Sequence, residues 1–261
     1  MMPIMRCAIS LVFLIGCGSV NAAIDAGGPA ADADADADAD AAIPGDAAST
    51  GLVAWYTMDS PAQQGTVGDA SGHHHDGVCG GNSGAVCPLV GTGKVGGAYV
   101  FNGSTTFFRV RADAELNGTT GFTVAAWLNR GDAIDGCSVN KGFGSGEHNS
   151  WQTCTNAGGD VVFFSQGSVE AHEQDTSGHP LALSEWHHVA LWWNGATKAT
   201  YIDGQRTAQN DISIAFDSDD ITIGADIDNG GIAVPFTGML DDVRIYNRAL
   251  SDAEIIALQS P

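Results

Sequence analysis

The sequence has few positive charges. Its 10 Lys and Arg residues stand against 31 Asp and Glu residues, which gives a formal net charge of −21. Nucleic acids and anionic bilayers are bound through clustered cations, so we expect no nucleic-acid partner and no basic membrane-docking patch. Only 16% of the residues are charged and 35 of 261 are Gly, which is unlike the composition of a helical bundle. At 44% hydrophobic residues, the chain can still bury a core.

The N-terminal apolar run is too short to span a bilayer. It extends from Cys7 to Ile15, whereas a spanning helix needs about 20 residues. Residues 1–17 therefore predict a signal peptide. The peptide ends in Leu14-Ile15-Gly16-Cys17, which resembles the bacterial lipobox, and this resemblance implies that Cys17 is lipidated and becomes the mature N-terminus. The alternative is ordinary secretory cleavage after Val20-Asn21-Ala22.

The residue after Cys17 bears on the expected location. Lipoproteins kept at the inner membrane often carry Asp there, whereas this chain has Gly18. The resemblance therefore implies a cell-envelope protein anchored at the outer membrane, with its domain periplasmic or surface-exposed. The lipid would be the chain's sole link to the membrane.

Residues 18–50 predict a disordered tether. They include five Ala-Asp pairs (residues 31–40), and their seven carboxylates repel one another without any apolar periodicity. As a flexible coil, the 33 residues would span about 30 Å. Alternating Asp and Ala lacks the glycine turn and carbonyl ligands of a calcium loop, so we expect no calcium in the tether.

From residue 51 onward, short apolar stretches alternate with turn residues. Many stretches are rich in the Val, Ile and aromatic residues that favour strands. Asn194-Gly195 and Asp203-Gly204 are typical of tight hairpins, so we expect an all-β antiparallel sandwich or barrel. The predicted strands lie within Leu52–Met58, Ala98–Phe101, Phe107–Val110, Phe122–Leu128, Val161–Phe164, Val189–Trp193, Ala199–Ile202, Ile221–Ile223 and Met239–Tyr246.

One short helix is predicted at the C-terminus. Ser251 and Glu254 have the spacing of a capping box, and Ile255, Ile256 and Leu258 supply an apolar side. We expect this helix to dock on the sandwich.

Four cysteines remain once Cys7 and Cys17 are assigned to the leader and the lipid. Four cysteines allow three pairings, and short loops favour Cys79–Cys87 and Cys137–Cys154. The second loop would contribute about 3 kcal/mol in the chain-entropy model. Metal thiolates and reactive thiols are the alternatives, and an oxidising compartment disfavours both.

Six segments together resemble a known family. In this order they are similar to bacterial LamG-like domains of the laminin G/concanavalin A-like lectin superfamily, over residues 51–261 nearly end to end. The resemblance implies a jelly-roll sandwich of two antiparallel sheets. The segments are Gly51–Asp59, Asp69–Gly77, Ala98–Gly103, Phe122–Trp127, Trp186–Ala190 and Gly238–Ser251.

The resemblance also implies a structural calcium ion. Members of the family often hold one, and the matching positions are Asp69 and Asp241, with Asp59 as a third candidate and carbonyls of residues 72–77 completing the shell. Strand alternation predicts Asp241 on the face of Val243 and Ile245, and it leaves Arg244 to pair with Asp242. The alternative is that Asp241 caps a turn or lies at the exposed start of the strand.

Histidine and aromatic residues offer other candidate sites. The three histidines from His73 to His75 could bind a transition metal, but we favour a solvated loop. Of His187 and His188, we expect one packed and one exposed side chain. Trp151, Tyr201 and the Trp192–Trp193 pair could stack on sugars, although most such residues lie in the core, and adjacent tryptophans must face opposite sides.

Catalytic patterns of the superfamily are missing from the sequence. Its glycoside hydrolases carry a strand of the type Glu-x-Asp-x-Glu, which places two carboxylates on one face, and this chain has none. Gly142–Gly146 lacks the register of a hydrolase nucleophile elbow, and Glu170–Glu173 lies in a polar stretch, 167–178, that predicts a loop.

The sequence therefore predicts a non-catalytic, monomeric envelope lipoprotein. Its LamG-like domain would serve adhesion or carbohydrate or protein binding. The alternatives are a glucanase-like hydrolase of the same fold and a structural envelope protein without a selective ligand.

Overall fold

The computed structural model describes residues 49–260, except for 82–83, 143–149 and 167–171 and the side chains of 172–174. The expected signal peptide, Cys17 and all but the last two residues of the expected tether lie outside the described residues. No helix within the described ranges combines the length and the hydropathy needed to cross a membrane.

Strands dominate the described part of the chain. A 3-10 turn (Ala114–Leu116) and a helix, α1 (Asp252–Ala257), accompany them. The first nine strands are β1 (Leu52–Tyr56), β2 (Thr66–Val67), β3 (Gly77–Val78), β4 (Leu89–Thr92), β5 (Gly97–Asn102), β6 (Phe108–Val110), β7 (Phe122–Arg130), β8 (Gly136–Lys141) and β9 (Trp151–Thr155). The next nine are β10 (Val161–Gln166), β11 (His172–Thr176), β12 (Trp186–Trp193), β13 (Thr197–Ile202), β14 (Gln205–Asp211), β15 (Ile221–Ile223), β16 (Ala225–Asp228), β17 (Gly231–Pro235) and β18 (Thr237–Tyr246).

The strands form two sheets. The first has the order β14-β13-β12-β7-β18-β5-β4, with β1 also paired to β18. The second has the order β11-β10-β9-β8-β15-β6-β3-β2, and the β16–β17 hairpin joins it through β8. All pairings of named strands are antiparallel except that of β17 with β8. The prediction of a jelly-roll sandwich of two antiparallel sheets with a short C-terminal helix is confirmed.

The core lies between the sheets and follows strand alternation. In β7, Val124, Ala126 and Leu128 point into it, and in β10 Val161 and Phe163 do the same. Each fully buried side chain of this kind contributes about 1.5–3 kcal/mol of transfer free energy. The large aromatic residues of this core include Tyr56, Tyr99, Phe101, Phe107, Phe108, Phe122, Trp151, Trp193 and Phe236.

A second, smaller hydrophobic cluster covers the outer face of the first sheet. Trp192 and Tyr201 project outward there and are covered by α1 through Ile255 and Leu258. The Trp192 indole N–H donates to the Leu250 carbonyl at 2.7 Å. The predicted helix therefore docks on the sandwich, and its capping box of Ser251 and Glu254 is confirmed.

Both expected hairpins and both expected disulfides are present. Asp203 and Gly204 have φ of 49° and 77°, as a tight turn between β13 and β14 requires, and Gly195 lies in the turn between β12 and β13. Cys79 bonds to Cys87, and Cys137 in β8 bonds to Cys154 in β9.

One predicted loop contains a strand. Within the stretch 167–178, the segment His172–Thr176 forms β11 and pairs with β10 at the edge of the second sheet. An edge strand needs backbone pairing on one side only and no apolar pattern, so a polar sequence can form it. The prediction of a loop there was wrong for these five residues.

Candidate functional site

The last strand, β18, has a bulge at its two adjacent carboxylates. Its pairing with β7 shifts register between Asp241 and Arg244, and Asp242 has φ of 52°. Leu240 and Val243 therefore both face the core, while Asp241 faces outward opposite Trp127. The expectation that Asp241 shares a face with Val243 and Ile245 was wrong, because the bulge adds one residue to the alternation.

Asp241 is nevertheless fully buried on that outer face. Its Oδ2 accepts a 2.8 Å hydrogen bond from the Val95 N–H, whereas its Oδ1 has no hydrogen-bond partner among the described residues. Burial raises the pKa of Asp241 to about 6, because the ionised form is poorly solvated there. A buried carboxylate with a free oxygen is a ligand that calcium could use.

The turn between β4 and β5 connects Asp241 to Asp59. While Val95 donates to Asp241, the Gly97 N–H donates to Asp59 Oδ1 at 2.7 Å. Gly96 has φ of 66°, and a Cβ there would overlap Asp59 Oδ1. The sequence predicted calcium carbonyls at residues 72–77 and not in this turn. The glycines of the run Gly91-Thr-Gly-Lys-Val-Gly-Gly97 are typical of a close backbone approach.

Asp241 begins a row of buried polar groups across three strands. Trp127 in β7 lies opposite Asp241 and also opposite His188 in β12, and the Trp127 and His188 ring centroids are 5.3 Å apart. Trp127 Nε1 and His188 Nδ1 have no partner among the described residues, and burial lowers the pKa of His188 to about 4. Lys94 covers the row, with its Nζ 4.6 Å from the Trp127 ring. His188 is thus the packed member of its pair, and His187 is partly exposed.

Asp242 has the partner that the sequence assigned to it. Arg244 Nη2 lies 2.9 Å from Asp242 Oδ2, and Arg244 Nε donates to Oδ1 at 3.2 Å. The Trp55 indole N–H also donates to Asp242 Oδ1. The predicted pairing of Asp242 with Arg244 is confirmed.

Asp69 organises the turn that follows β2. Its two oxygens accept hydrogen bonds from the Trp55 N–H, the Ser71 N–H and hydroxyl and the His75 N–H, at 2.8–3.0 Å. These bonds lower the pKa of Asp69, although partial burial acts in the opposite direction. The expected calcium site formed by Asp69 and Asp241 stays a prediction.

Two of the three consecutive histidines lie close to a glutamate. His73 Nδ1 is 3.0 Å and His75 Nε2 is 3.3 Å from the same oxygen, Glu115 Oε2. The Glu115 carboxylate comes from the 3-10 turn, whose N-cap Asp113 accepts the Glu115 N–H. The expectation of a merely solvated loop did not anticipate this convergence, because Glu115 is 40 or more positions away in sequence.

A groove lies on the outer face of the second sheet. Because Val161 and Phe163 face the core, Val162 and Phe164 of β10 face outward. The β16–β17 hairpin lies beside them. The groove has a volume of about 180 Å³, which is below the roughly 300–1,000 Å³ of sites that enclose a whole small-molecule ligand, so it would contact only part of a larger ligand. Its other lining residues are Asp135, Cys137, Gln152, Cys154, Thr155, Asn156, Asp226 and Val234.

Charged and polar groups are among the residues that line this groove. Asp226 is 5% exposed, and burial, with help from the negative charge of Asp228, raises its pKa to about 6. Asp135 is exposed, and its Oδ1 accepts the Ala157 N–H at 2.6 Å. Phe164 is partly exposed, so the groove offers one aromatic face beside carboxylate and amide groups.

The aromatic residues that the sequence offered as sugar platforms are buried. Trp151 stacks on Phe122 in the core with ring centroids 5.5 Å apart, and Trp193 lies in the same core. Trp192 and Tyr201 face outward, but α1 and its flanking residues cover them. The outward position expected for one residue of the Trp192–Trp193 pair is correct, but that residue is not open to a ligand.

Solved structures of binding domains have a similar fold at low sequence identity. The binding domain of Paraclostridial Mosquitocidal Protein 1 is 15% identical, with a TM-score of 0.64 over 81% of this chain and 52% of that one. Domain 4 of AbnA, a GH43 extracellular arabinanase from Geobacillus stearothermophilus solved with arabinotriose, is 18% identical, with a TM-score of 0.60 over 80% and 98%. The present chain spans about half the length of the mosquitocidal protein's domain.

An enzyme structure is among the similar ones as well. The Trypanosoma rangeli sialidase is 16% identical, with a TM-score of 0.59 over 80% of this chain and 32% of the sialidase chain. No curated protein sequence matches significantly. At these identities, the structural similarities establish the fold alone.

The sequence itself matches a family model over residues 102–256, which is more than half of the chain. That segment includes β7, β12 and β18, and so contains most of the strands that form the buried row and the groove. The chain belongs to the concanavalin A-like lectin/glucanases superfamily.

Proposed function

We propose that this protein is a non-catalytic binding module of the cell envelope that recognises carbohydrate at the groove of the second sheet. The observation that carries the proposal is the groove itself, where Phe164 offers an aromatic face beside Asp226, Asp135 and Gln152. Sugars present apolar ring faces and hydroxyls, and such sites combine an aromatic surface with a few polar groups. The fold similarity to a domain solved with arabinotriose supports carbohydrate as the ligand class.

The test is a glycan array with the full chain carrying Cys17→Ser, which keeps it soluble if the lipid is its anchor. We expect binding to one class of glycan, and Phe164→Ala should reduce it at least about tenfold by removing the stacking surface. Leu89→Ala is the matched control, because Leu89 is 77% exposed and lies at the edge of the other sheet. Equal binding by Phe164→Ala and the native chain would place the site elsewhere.

We also propose a structural calcium ion at Asp241. Its orphaned, fully buried Oδ1 and the nearby Asp59 carboxylate support this role, because calcium binds oxygen ligands. The ion would neutralise the buried carboxylate and hold the β4–β5 turn against β18. It would stabilise the fold and take no part in chemistry.

Thermal unfolding with and without calcium tests this site. The melting temperature should rise with calcium in the native chain, and Asp241→Asn should abolish the rise. Asp211→Asn is the control, because Asp211 is an exposed carboxylate in β14, and it should keep the calcium-dependent rise. Identical melting of the native chain in calcium and in chelator would contradict the proposal.

A hydrolase is the second candidate, and one observation favours it. Asp226 and Asp135 line the same groove, and a carboxyl with a pKa of about 6 suits a general acid. We expect no release of reducing ends from arabinan, β-glucan or sialylated glycans. Release by the native chain but not by Asp226→Asn would identify a glycosidase instead of a binding module.

A further inference from the structure

The three side chains of His73, His75 and Glu115 have the chemistry of a transition-metal site. Two imidazoles and one carboxylate are the ligand set that borderline divalent ions such as zinc prefer. Their ligand atoms, Nδ1 of His73, Nε2 of His75 and Oε2 of Glu115, all lie within 4.8 Å of one another. It is the one group of three or more His, Cys, Asp or Glu residues this close among the described residues.

The distances between these atoms fit a tetrahedral ion. Ligand atoms about 2.0–2.1 Å from a tetrahedral zinc ion are about 3.3 Å from one another. The two imidazole nitrogens lie 3.0 Å and 3.3 Å from the carboxylate oxygen and within 4.8 Å of each other, so two of the three separations are close to the tetrahedral value. The two imidazole rings are nearly parallel, at 10°, with centroids 6.3 Å apart.

The backbone positions these ligands before any ion binds. His74 has φ of 64°, which turns the chain so that residues 73 and 75 project together. The His75 N–H is held by Asp69 Oδ2, and the His75 carbonyl accepts the Tyr56 hydroxyl at 2.6 Å. The His73 N–H donates to the Ser71 hydroxyl at 3.2 Å. A preorganised ligand set loses less conformational entropy when it binds a metal ion.

Open space lies beside the cluster. A cavity of about 380 Å³ borders His75 and is lined also by Asp76, Arg111 and Asp113. Glu115 is half exposed, at 54%, and the His73 side chain is 41% exposed. With three protein ligands, a fourth coordination position remains for water or an oxygen of another molecule.

We propose that His73, His75 and Glu115 form a binding site for one zinc ion or a similar divalent transition metal, separate from the calcium site at Asp241. The ion would tie the turn that Asp69 organises to the 3-10 turn at Ala114–Leu116. The site is independent of the carbohydrate groove and does not rest on the proposed function.

Calorimetric titration with zinc tests the site in the full chain without a histidine tag. Cys7 and Cys17 are replaced by Ser so that thiols do not compete, and both disulfides are formed. We expect one zinc ion per chain, not displaced by a large excess of calcium. His73→Ala and Glu115→Gln should each weaken binding at least about tenfold.

The matched control is His74→Ala, which removes the neighbouring exposed histidine outside the cluster. It should leave zinc affinity unchanged. Cobalt should give the visible absorption of a tetrahedral site in the native chain but not in His73→Ala or Glu115→Gln. Equal loss with His74→Ala would indicate unspecific chelation by the histidine run and overturn the proposal. Unchanged affinity in Glu115→Gln and His73→Ala would overturn it as well.

Discussion

Two buried carboxylates lie on the outer faces of the two sheets. Asp241 on the first sheet and Asp226 on the second both have pKa values raised to about 6 by burial. Their surroundings differ in kind. Asp241 faces a turn whose backbone approaches it closely, whereas Asp226 lines an open groove. Burial therefore raises both pKa values, and the surroundings determine whether the carboxylate suits a cation, as at Asp241, or the hydroxyl groups of a ligand, as at Asp226.

Replacing Asp226 with Asn should change how stability depends on pH. The folded pKa of about 6 lies above the ordinary aspartate value of 3.8, so between these values the folded chain binds more protons than the unfolded one. The shift corresponds to about 3 kcal/mol in total, since each pKa unit is about 1.4 kcal/mol, and the free energy of unfolding should therefore fall by about 2 kcal/mol as pH rises from about 4 to about 6. Asp226→Asn should remove this part of the slope.

Urea denaturation at a series of pH values measures the effect. Asp211→Asn serves as the control, since Asp211 is an exposed carboxylate whose hydrogen bond with Thr197 an amide can keep. If the native chain and Asp226→Asn show the same pH profile, burial does not raise the pKa of Asp226.

Neighbouring residues show how far side-chain roles could be read from the sequence. The pairing of Asp242 with Arg244 was predictable because opposite charges two positions apart on a strand share a face. The sheet face on which Asp241 lies was not predictable, because it depends on the bulge at Asp242. A positive φ at a non-glycine residue cannot be recognised from the hydrophobic periodicity of the sequence.

At the level of elements, α1 shows how a short helix is stabilised by its ends. Six residues are too few for a stable isolated helix, so α1 depends on its capping box and on burial of Ile255. The Arg248 guanidinium pairs with Glu254 and is the main cause that lowers the pKa of this carboxyl to about 2. Together these contacts fix the helix over Trp192 and Tyr201.

Ser251→Ala should destabilise the protein by about 1 kcal/mol, because the Glu254 N–H loses its side-chain acceptor. The midpoint of chemical denaturation measures this loss. Ser260→Ala, an exposed serine beyond the same helix, should leave the midpoint unchanged. Equal midpoints for Ser251→Ala and the native chain would show that the cap does not stabilise the fold.

Apolar strands could be predicted from the sequence, and polar ones could not. β7, β12 and β18 have hydrophobic patterns that match their buried faces, and the predicted segments lie within them. β11 and β14 lie at sheet edges and carry polar side chains. Their backbones pair through neighbouring strands, which is a long-range property that no local pattern indicates.

For the whole molecule, the described residues form one sandwich with two disulfides. Disulfides persist in oxidising compartments, which agrees with export. The architecture was predictable from the order of the family-like motifs, and both cysteine pairings were predictable from the short loops between the cysteines. The groove and the His73–His75–Glu115 cluster were not predictable, since each joins segments far apart in sequence.

Cys17→Ser should release the protein from the membrane, because the acylated cysteine is its expected anchor. Fractionation of cells into membrane and soluble material, followed by immunodetection, measures the release. Cys7→Ser is the control, since Cys7 lies within the expected leader that processing would remove, and it should leave the protein in the membrane fraction. Retention of Cys17→Ser in the membrane would show that another anchor holds the chain.

Hydrogen–deuterium exchange of the full chain, with and without the oligosaccharide that binds best on the array, tests whether the groove of the second sheet binds carbohydrate. Carbohydrate binding at the groove predicts slower exchange in β9, β10 and the β16–β17 hairpin, and unchanged exchange in β13 and β14 of the first sheet. Protection confined to the first sheet, or an array on which no glycan binds, would contradict the account.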